Sequence, residues 1–155
     1  MSANLPRFHN KTVWITGASS GVGEGLARVF RREGADLIIS ARRGAELERV
    51  KASCPEGPGS VHVLPFDLTS EPQRRLAADQ VLERYERLDV LINNAGIGQR
   101  SLIKDTLPEV DRRVMEVDFF APVALTRLVL PRMMAQRSGH RRAHARSPHR
   151  MSPIV

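Results

Sequence analysis

The chain has 155 residues, the length of one ordinary domain, and its 41% hydrophobic and 26% charged residues are typical of a globular protein. It has no apolar run long enough for a membrane helix, no apolar signal-peptide core, and one cysteine, Cys54, which cannot form an internal disulfide. These features exclude a disulfide-rich secreted protein. They predict a cytoplasmic protein without a membrane partner, in which the Cys54 thiol is inert.

The net charge of +7 is unevenly distributed along the chain. Residues 137–155 contain five arginines, three histidines and no acidic residue, so this segment carries +5 and the rest of the chain +2. We therefore predict a globular domain over 1–139 and a basic irregular tail over 140–155.

Strands and helices alternate strictly in the predicted domain. Four apolar runs predict strands, over 12–16, 35–40, 61–66 and 89–93. Three helices are predicted between these strands. The first and the third are predicted from apolar residues at helical spacing: Val22, Leu26, Val29 and Phe30 for the first, and Leu76, Val81, Leu82, Tyr85 and Leu88 for the third. The second is predicted over 44–53. Because parallel strands need crossover connections, this order predicts an α/β fold with a Rossmann-like, doubly wound parallel sheet. A last helix is predicted over 108–134, kinked or interrupted at Pro122.

A glycine-rich segment joins the first strand to the first helix. Gly17, Gly21 and Gly23 would let the backbone approach a pyrophosphate, and the free N–H groups of the helix start favour an anion. Ser19 and Ser20 can add hydroxyl donors. The alternative is a glycine turn that only closes the corner between strand and helix.

The end of the second strand carries basic residues instead of an acidic one. In dinucleotide-binding folds, an acidic side chain here binds the ribose hydroxyls of NAD, whereas Arg42 could bind the 2′-phosphate of NADP. Arg42 is a better candidate than Arg43, and NADP(H) is predicted in preference to NAD(H). The alternative is that both arginines belong to a solvated turn.

Three segments together resemble the short-chain dehydrogenase/reductase family: the glycine pattern that begins at Thr16, Asp67 within the sequence 66–70, and Asn93 to Gly96. The resemblance covers residues 10 to about 139. It implies NADP-dependent hydride transfer to or from a carbonyl or alcohol substrate, and a set of cofactor-binding residues: Gly17, Ser19, Ser20, Gly21, Val22, Arg42, Asp67, Leu68, Asn94, Ala95 and Gly96. It also implies that Asn93 braces the end of its strand. From the residues alone, Asp67 could instead be a helix N-cap or an ordinary loop residue.

Asp118 stands where the family usually carries Asn, at a helix kink that supports a water of the proton relay. An ionised aspartate only accepts hydrogen bonds, so a relay through its side chain is in doubt while one through its backbone carbonyl is retained. The alternative is a polar helix residue beside a proline kink. Asp118 is the one catalytic candidate in this chain.

The sequence after Gly139 departs from the family pattern. The family continues with an apolar strand that ends in a catalytic Ser, followed by Tyr and Lys, whereas this chain continues with Arg, His, Ser and Pro. We predict no strand here, a sheet truncated after about four strands with an uncovered apolar edge, and no assignable catalytic Ser, Tyr or Lys. Tyr85, the one tyrosine, is assigned to the core. A reading-frame error near codon 140 would account for the tail.

The sequence is compatible with three hypotheses about the function of the chain. The first is an NADP-dependent oxidoreductase that is inactive as written, and the second is a non-catalytic nucleotide-binding fragment that pairs with another chain. The third is polyanion binding by the Arg-rich tail, although the absence of interleaved aromatic residues makes nucleic acid a weak candidate. No metal site is predicted.

Overall fold

The computed structural model of the protein describes residues 6–136 and 140–143. Its strands are β1 (Thr12–Thr16), β2 (Asp36–Ser40), β3 (Val61–Val63), β4 (Val90–Asn93) and β5 (His140–Ala143). Its α-helices are α1 (Gly21–Arg32), α2 (Gly44–Ser53), α3 (Glu71–Arg84), α4 (Pro108–Met115) and α5 (Ala121–Ala135). The α/β alternation predicted from the sequence is therefore confirmed.

The five strands form one parallel sheet in the order β3-β2-β1-β4-β5. The chain moves outward from β1 to β3 and then returns to the other side of β1, so β1 and β4 are neighbours although three helices and two strands separate them in sequence. Helices cover both faces of the sheet. This is the Rossmann-like doubly wound arrangement that the alternation predicts.

The strand β5 corrects one prediction. No strand was expected after Gly139, yet His140–Ala143 pairs with β4 in parallel, with His140 opposite Val90 and Ala143 opposite Asn93. The physical reason is that strand pairing is made by backbone N–H and C=O groups, so the exposed edge of β4 can add a strand without an apolar side-chain pattern. The remainder of the predicted tail, 144–155, lies outside the described residues.

Alternate residues of the strands fill two separate cores. Val13 and Ile15 face the layer of α1 and α2, whereas Trp14 between them faces the layer of α3 and α5. All three side chains are fully buried. Strands buried on both faces read as continuous apolar runs, which is why the sequence locates them well.

Two of the predicted helix faces are wrong in part. Val22 and Val29 of α1 are 59% and 51% exposed, and Leu76 of α3 is 60% exposed. The buried positions of α1 are held by the small residues Gly23 and Ala27, and those of α3 include Ala77 and Ala78 beside Arg74 and the predicted Val81. Small side chains let a helix approach the sheet closely, and a search for large apolar residues overlooks them.

The interruption predicted at Pro122 is present. A π-helical turn, Glu116–Phe120, separates α4 from α5, and Pro122 lies in the first turn of α5. Because proline has no N–H, it cannot donate to the carbonyl of Asp118 four residues earlier. The backbone is therefore perturbed at the candidate catalytic position.

None of the helices within the described residues is long and apolar enough to cross a membrane.

Candidate cofactor-binding site

The carboxyl ends of β1, β2 and β4 meet at one edge of the sheet. Strands β2 and β3 are added on one side of β1, whereas β4 is added on the other side, so the strand order reverses between β1 and β4. Ligands of open α/β sheets bind at such a switch point. The glycine-rich segment follows β1, Arg42 follows β2, and Asn94 follows β4. The topology therefore brings three sequence-predicted groups to the same edge.

Gly17 and Gly23 allow the loops after β1 and β4 to touch. A Cβ on Gly17 would lie 2.6 Å from Ala95 Cα, and Gly17 also has a positive φ of 66°. A Cβ on Gly23 would lie 2.3 Å from the Gly17 carbonyl oxygen and 2.5 Å from Asn94 Nδ2. Any side chain at either position would push the loops apart, so both glycines are required by packing within the protein.

Thr16 and Asn94 join the same two loops by hydrogen bonds. The backbone N–H groups of Asn94 and Ala95 both donate to Thr16 Oγ1 at 3.2 Å. In return, Asn94 Nδ2 donates to the carbonyls of Thr16 at 3.2 Å and Gly17 at 3.0 Å. No such role is predicted for Thr16 from the sequence, although a hydroxyl at the last position of a buried strand is a signal that could have revealed it.

Replacing Thr16 by valine tests this connection. Valine has a similar shape but no acceptor, so two loop N–H groups lose their partner, and we expect the free energy of unfolding to fall by about 2 kcal/mol. Hydrogen exchange of the Asn94 and Ala95 amides should become at least tenfold faster. Thr126→Val is the control, because it removes a threonine hydroxyl outside these loops. Unchanged exchange of the two amides in Thr16→Val would contradict the role of Thr16 in joining the loops.

The start of α1 forms an open cradle for an anion. Ser20 is its N-cap, and its side chain makes no capping hydrogen bond. A Cβ on Gly21 would meet nothing within 4 Å, and this residue has a φ of 57°. Free N–H groups, an unused hydroxyl and open space at a helix N-terminus are what a phosphate group requires.

Ser19 and Val22, the other two predicted residues of this segment, lie on either side of the helix start. Ser19 is half-buried, and its carbonyl accepts a hydrogen bond from Arg49 of α2. Val22 is exposed in the first turn of α1. The structure thus groups all of the predicted loop residues at one end of α1.

Arg42 follows β2 and is exposed. It forms no hydrogen bond or ion pair with any other residue in the described part of the chain. The Phe66 N–H donates to the Ala41 carbonyl at 3.1 Å, which brings the next residues, Arg42 and Asp67, to neighbouring positions at the sheet edge, and the charge of Arg42 contributes to lowering the pKa of Asp67. Arg42 is therefore an available cation beside the candidate site.

Asp67 is held by the turn that precedes α3. Its Oδ1 accepts hydrogen bonds from the N–H and the hydroxyl of Thr69, at 2.9 and 2.8 Å. Burial opposes its ionisation, but these bonds and the nearby charges of Arg42 and Arg113 outweigh it, so its pKa lies below the usual value. The N-cap of α3 is Ser70, so Asp67 is not a helix cap, whereas its position in a loop agrees with the other alternative drawn from the sequence.

Leu68, the neighbour of Asp67, is buried. Its carbonyl accepts a hydrogen bond of 2.7 Å from Arg74 Nη1, and Arg74 is itself buried on the inner face of α3. The backbone at Leu68 is thereby fixed.

A family model described as short chain dehydrogenase matches residues 11–140 of the chain. This is the segment that contains the entire sheet edge described above. The chain belongs to the short-chain dehydrogenase/reductase family.

Its similarity to known family members is substantial but partial. It is 44% identical over 131 residues to human "Dehydrogenase/reductase SDR family member 7", covering 82% of this chain and 39% of that protein. The chain therefore spans about two fifths of the length of that curated relative.

Solved structures of the family superpose on the same fold. A metagenomic short-chain oxidoreductase in complex with NADP has a TM-score of 0.82 and 29% identity, covering 88% of this chain and 62% of that one. The 3-ketoacyl-(acyl-carrier-protein) reductase from Brucella melitensis, complexed with NADH, has a TM-score of 0.76 and 30% identity, covering 84% and 54%. Both forms of the nicotinamide cofactor thus occur among its structural neighbours.

Asp118 contacts the loop after β4. Its Oδ1 accepts a 2.9 Å hydrogen bond from the Ile97 N–H and lies 3.5 Å from the Cβ position of Gly96. A carboxylate performs this task as well as the amide oxygen of the family's usual Asn, since only an acceptor is needed. The side chain is engaged with the backbone of the loop, whereas Pro122 leaves the Asp118 carbonyl without its ordinary helical donor.

Asn93 connects the end of β4 to α5. Its Nδ2 donates to Thr126 Oγ1 at 3.0 Å, and that hydroxyl donates to the Pro122 carbonyl at 2.8 Å. Its amide oxygen is buried and finds no partner among the described residues. The contact to α5 is consistent with the bracing role that the resemblance implies.

Tyr85 lies at the opposite end of the sheet from the candidate site. It follows α3, which runs from the carboxyl end of β3 to the amino end of β4, and it is partly buried against the core with its ring 6.5 Å from that of His62. The assignment of Tyr85 to the core is supported, and this tyrosine cannot reach a substrate at the other edge.

Cys54 is half-buried, and burial raises the pKa of its thiol.

Proposed function

We propose that this chain binds NADP(H) at the carboxyl edge of its sheet, as the cofactor-binding part of a short-chain oxidoreductase that acts on a carbonyl or alcohol. The nicotinamide cofactor supplies the hydride when bound. The chain's own residues bind and orient it. NADP(H) rather than NAD(H) is the preferred form in this proposal, and a cytoplasmic location is part of it.

Arg42 carries the preference for NADP(H). It follows β2, where an acidic residue would bind the ribose hydroxyls of NAD and repel a 2′-phosphate. Arg42 is exposed and unpaired within the described residues, so binding a phosphate would not require breaking an existing ion pair. A guanidinium can donate two parallel hydrogen bonds to phosphate oxygens.

The other proposed contacts follow the order of the elements along the sheet edge. The N–H groups at the start of α1 and the Ser20 hydroxyl bind the pyrophosphate. Asp67, whose Oδ1 is committed to Thr69, keeps its second carboxylate oxygen for the adenine amino group. The residues assigned to the cofactor are Gly17, Ser19, Ser20, Gly21, Val22, Arg42, Asp67, Leu68, Asn94, Ala95 and Gly96.

By the family resemblance, proton transfer to or from the substrate oxygen needs a tyrosine, and the described residues place none at the cofactor edge. Within 6–136 no tyrosine lies at the cofactor edge, because Tyr85 is at the opposite end of the sheet. We therefore expect the 155-residue chain to bind NADPH without reducing a panel of aldehydes and ketones. Measurable NADPH oxidation that depends on such a carbonyl would contradict this part of the proposal.

The test of the cofactor preference is a titration of the chain with NADPH and NADH, monitored by nicotinamide fluorescence. Arg42→Ala should weaken NADPH binding about 30-fold, since a charge-assisted phosphate contact is lost, and NADH binding less than threefold. Arg43→Ala is the matched control, because Arg43 is the adjacent exposed arginine and should change either Kd less than threefold.

Two outcomes would overturn the preference. Equal affinity of the unaltered chain for both cofactors would show that no group recognises the 2′-phosphate. A larger loss of NADPH binding in Arg43→Ala than in Arg42→Ala would move that role to the neighbouring residue.

A further inference from the structure

The glycine-rich loop is tied to α2 by one side chain. Arg49 Nη2 donates a hydrogen bond of 3.1 Å to the Ser19 carbonyl, across 30 positions in the sequence. Ser19 precedes the N-cap of α1, so this contact fixes the backbone next to the candidate phosphate cradle.

Arg49 is itself held by two carboxylates. Its Nη1 and Nη2 donate to the two carboxylate oxygens of Glu24 in α1, at 3.1 and 3.0 Å. Its Nε donates to Glu46 of α2 at 3.0 Å. A planar guanidinium in a paired contact with one carboxylate has a defined orientation, which a single exposed ion pair would not give.

The contact to Ser19 determines the direction of an N–H group. The Ser19 carbonyl and the Ser20 N–H belong to one planar trans peptide and point in opposite directions. With the carbonyl directed at Arg49, the Ser20 N–H is directed away from α2. Within the described residues this N–H has no acceptor, so it is free to bind a ligand.

The same guanidinium offsets an unfavourable charge. Glu24 lies in the first turn of α1, where its carboxylate would repel a phosphate at the helix N-terminus. The hydrogen bond from Arg49 is the main reason that the pKa of Glu24 is lowered, although burial opposes it, and the charge of Arg28 adds to the effect. Glu24 is thus kept ionised while two arginines balance its charge.

We propose that Arg49 is a positioning residue of the cofactor-binding loop, which orients the Ser19–Ser20 peptide so that its N–H faces the phosphate. Arg49 acts through the loop backbone and does not contact the cofactor. The inference rests on the proposed NADP(H) binding.

The test compares Arg49→Met with Arg28→Met in the full chain. Arg28 is a matched control because it pairs with the same Glu24, at 2.6 Å, and its other hydrogen bonds go to Ser53 of α2 instead of the loop. The 15N order parameter of the Ser20 amide, measured by NMR without cofactor, should fall from about 0.85 to below about 0.6 in Arg49→Met and change by less than about 0.05 in Arg28→Met. Circular dichroism verifies that each variant is folded.

Cofactor titrations give a second readout. Arg49→Met should raise the Kd of NADPH and of NADH by the same factor, about tenfold, because both cofactors share the pyrophosphate. Arg49→Lys should retain most of this defect, since one ammonium cannot span Glu24, Glu46 and the Ser19 carbonyl. Arg28→Met removes one of the two charges that balance Glu24 but leaves the Ser19 contact, so it should raise both Kd values about threefold at most.

Each contrary outcome has a distinct meaning. An unchanged Ser20 order parameter in Arg49→Met overturns the inference, whether or not NADPH binds. Weakened binding of NADPH alone overturns it in favour of a direct contact with the 2′-phosphate, and full binding by Arg49→Lys overturns it in favour of charge alone. If the unaltered chain binds neither cofactor, the proposed function fails, and the order parameters still decide what Arg49 does to the loop.

Discussion

Replacing Gly23 by alanine should lower the free energy of unfolding by about 3 kcal/mol, although alanine favours helices more than glycine does. The added Cβ would lie 2.3 Å from the Gly17 carbonyl oxygen and 2.9 Å from Ala18 Cα. Both are backbone atoms of a loop that is already held by β1 and by Asn94, so they cannot move aside cheaply. The cofactor cradle would be distorted together with the fold.

Gly25 provides the matched control, since it lies in the same helix. A Cβ on Gly25 would meet nothing within 4 Å, so Gly25→Ala should stabilise the chain by about 0.5–1 kcal/mol through helix propensity alone. Urea unfolding of both variants measures the difference. Similar stability of Gly23→Ala and the unaltered chain would show that the loop yields, and would remove the packing argument for this glycine.

The strands and the site edge were predictable because their signals are local. The buried strand Thr12–Thr16 is a continuous run of β-branched and aromatic residues, and the glycines that follow it have the spacing needed for the turn and the helix start. The order of strands and helices then brings the segments after β1, β2 and β4 to one edge. The sequence alone therefore predicts which segments meet at the edge of the candidate site.

The contacts that shape the site were not predictable in the same way. Thr16 binds Asn94 and Ala95 across almost 80 positions, and Arg49 binds Ser19 across 30. Such pairs depend on how two loops or helices meet in space, which periodicity does not encode. An arginine on the outer face of a helix is indistinguishable in sequence from a solvated one.

Burial by small residues and strand addition at an edge limit the prediction in two further ways. In α3, Ala77 and Ala78 pack against the core while Leu76 is exposed, the reverse of what hydrophobicity predicts. The strand β5 forms along β4 from a sequence without apolar alternation. In both cases, geometry and backbone hydrogen bonding outweigh side-chain character.

Asp89 should be the most important single carboxylate for stability among the described residues. It is nearly fully buried and accepts hydrogen bonds from the Thr12 N–H at 3.0 Å, Lys11 Nζ at 3.3 Å and Arg87 Nη2 at 2.7 Å. These bonds connect the start of β4 to the start of β1. Asp89→Ala should lower the free energy of unfolding by about 3 kcal/mol, because a buried N–H and two cations lose their acceptor.

The pH dependence distinguishes the charge of Asp89 from its shape. Burial opposes its ionisation, but the bonds from Thr12, Arg87 and Lys11 outweigh it, so its pKa in the folded chain lies below the ordinary value near 4. The stabilisation is therefore complete above about pH 5 and is lost as the pH falls through the folded-state pKa. Asp89→Asn cannot titrate, so its deficit relative to the unaltered chain should be about 2 kcal/mol at pH 7 and shrink steadily below pH 4.

Urea unfolding of both proteins at pH 7, 5, 4 and 3 measures that deficit. Asp67 also has a lowered pKa, but it is present in both proteins, and its contribution cancels in the difference. Asp79→Asn, at an exposed position of α3, should change the stability by less than about 0.5 kcal/mol at every pH. If the stability deficit of Asp89→Asn stays constant from pH 7 to pH 3, the asparagine destabilises the fold because its amide does not fit the site. The negative charge of Asp89 would then not be what joins β1 to β4.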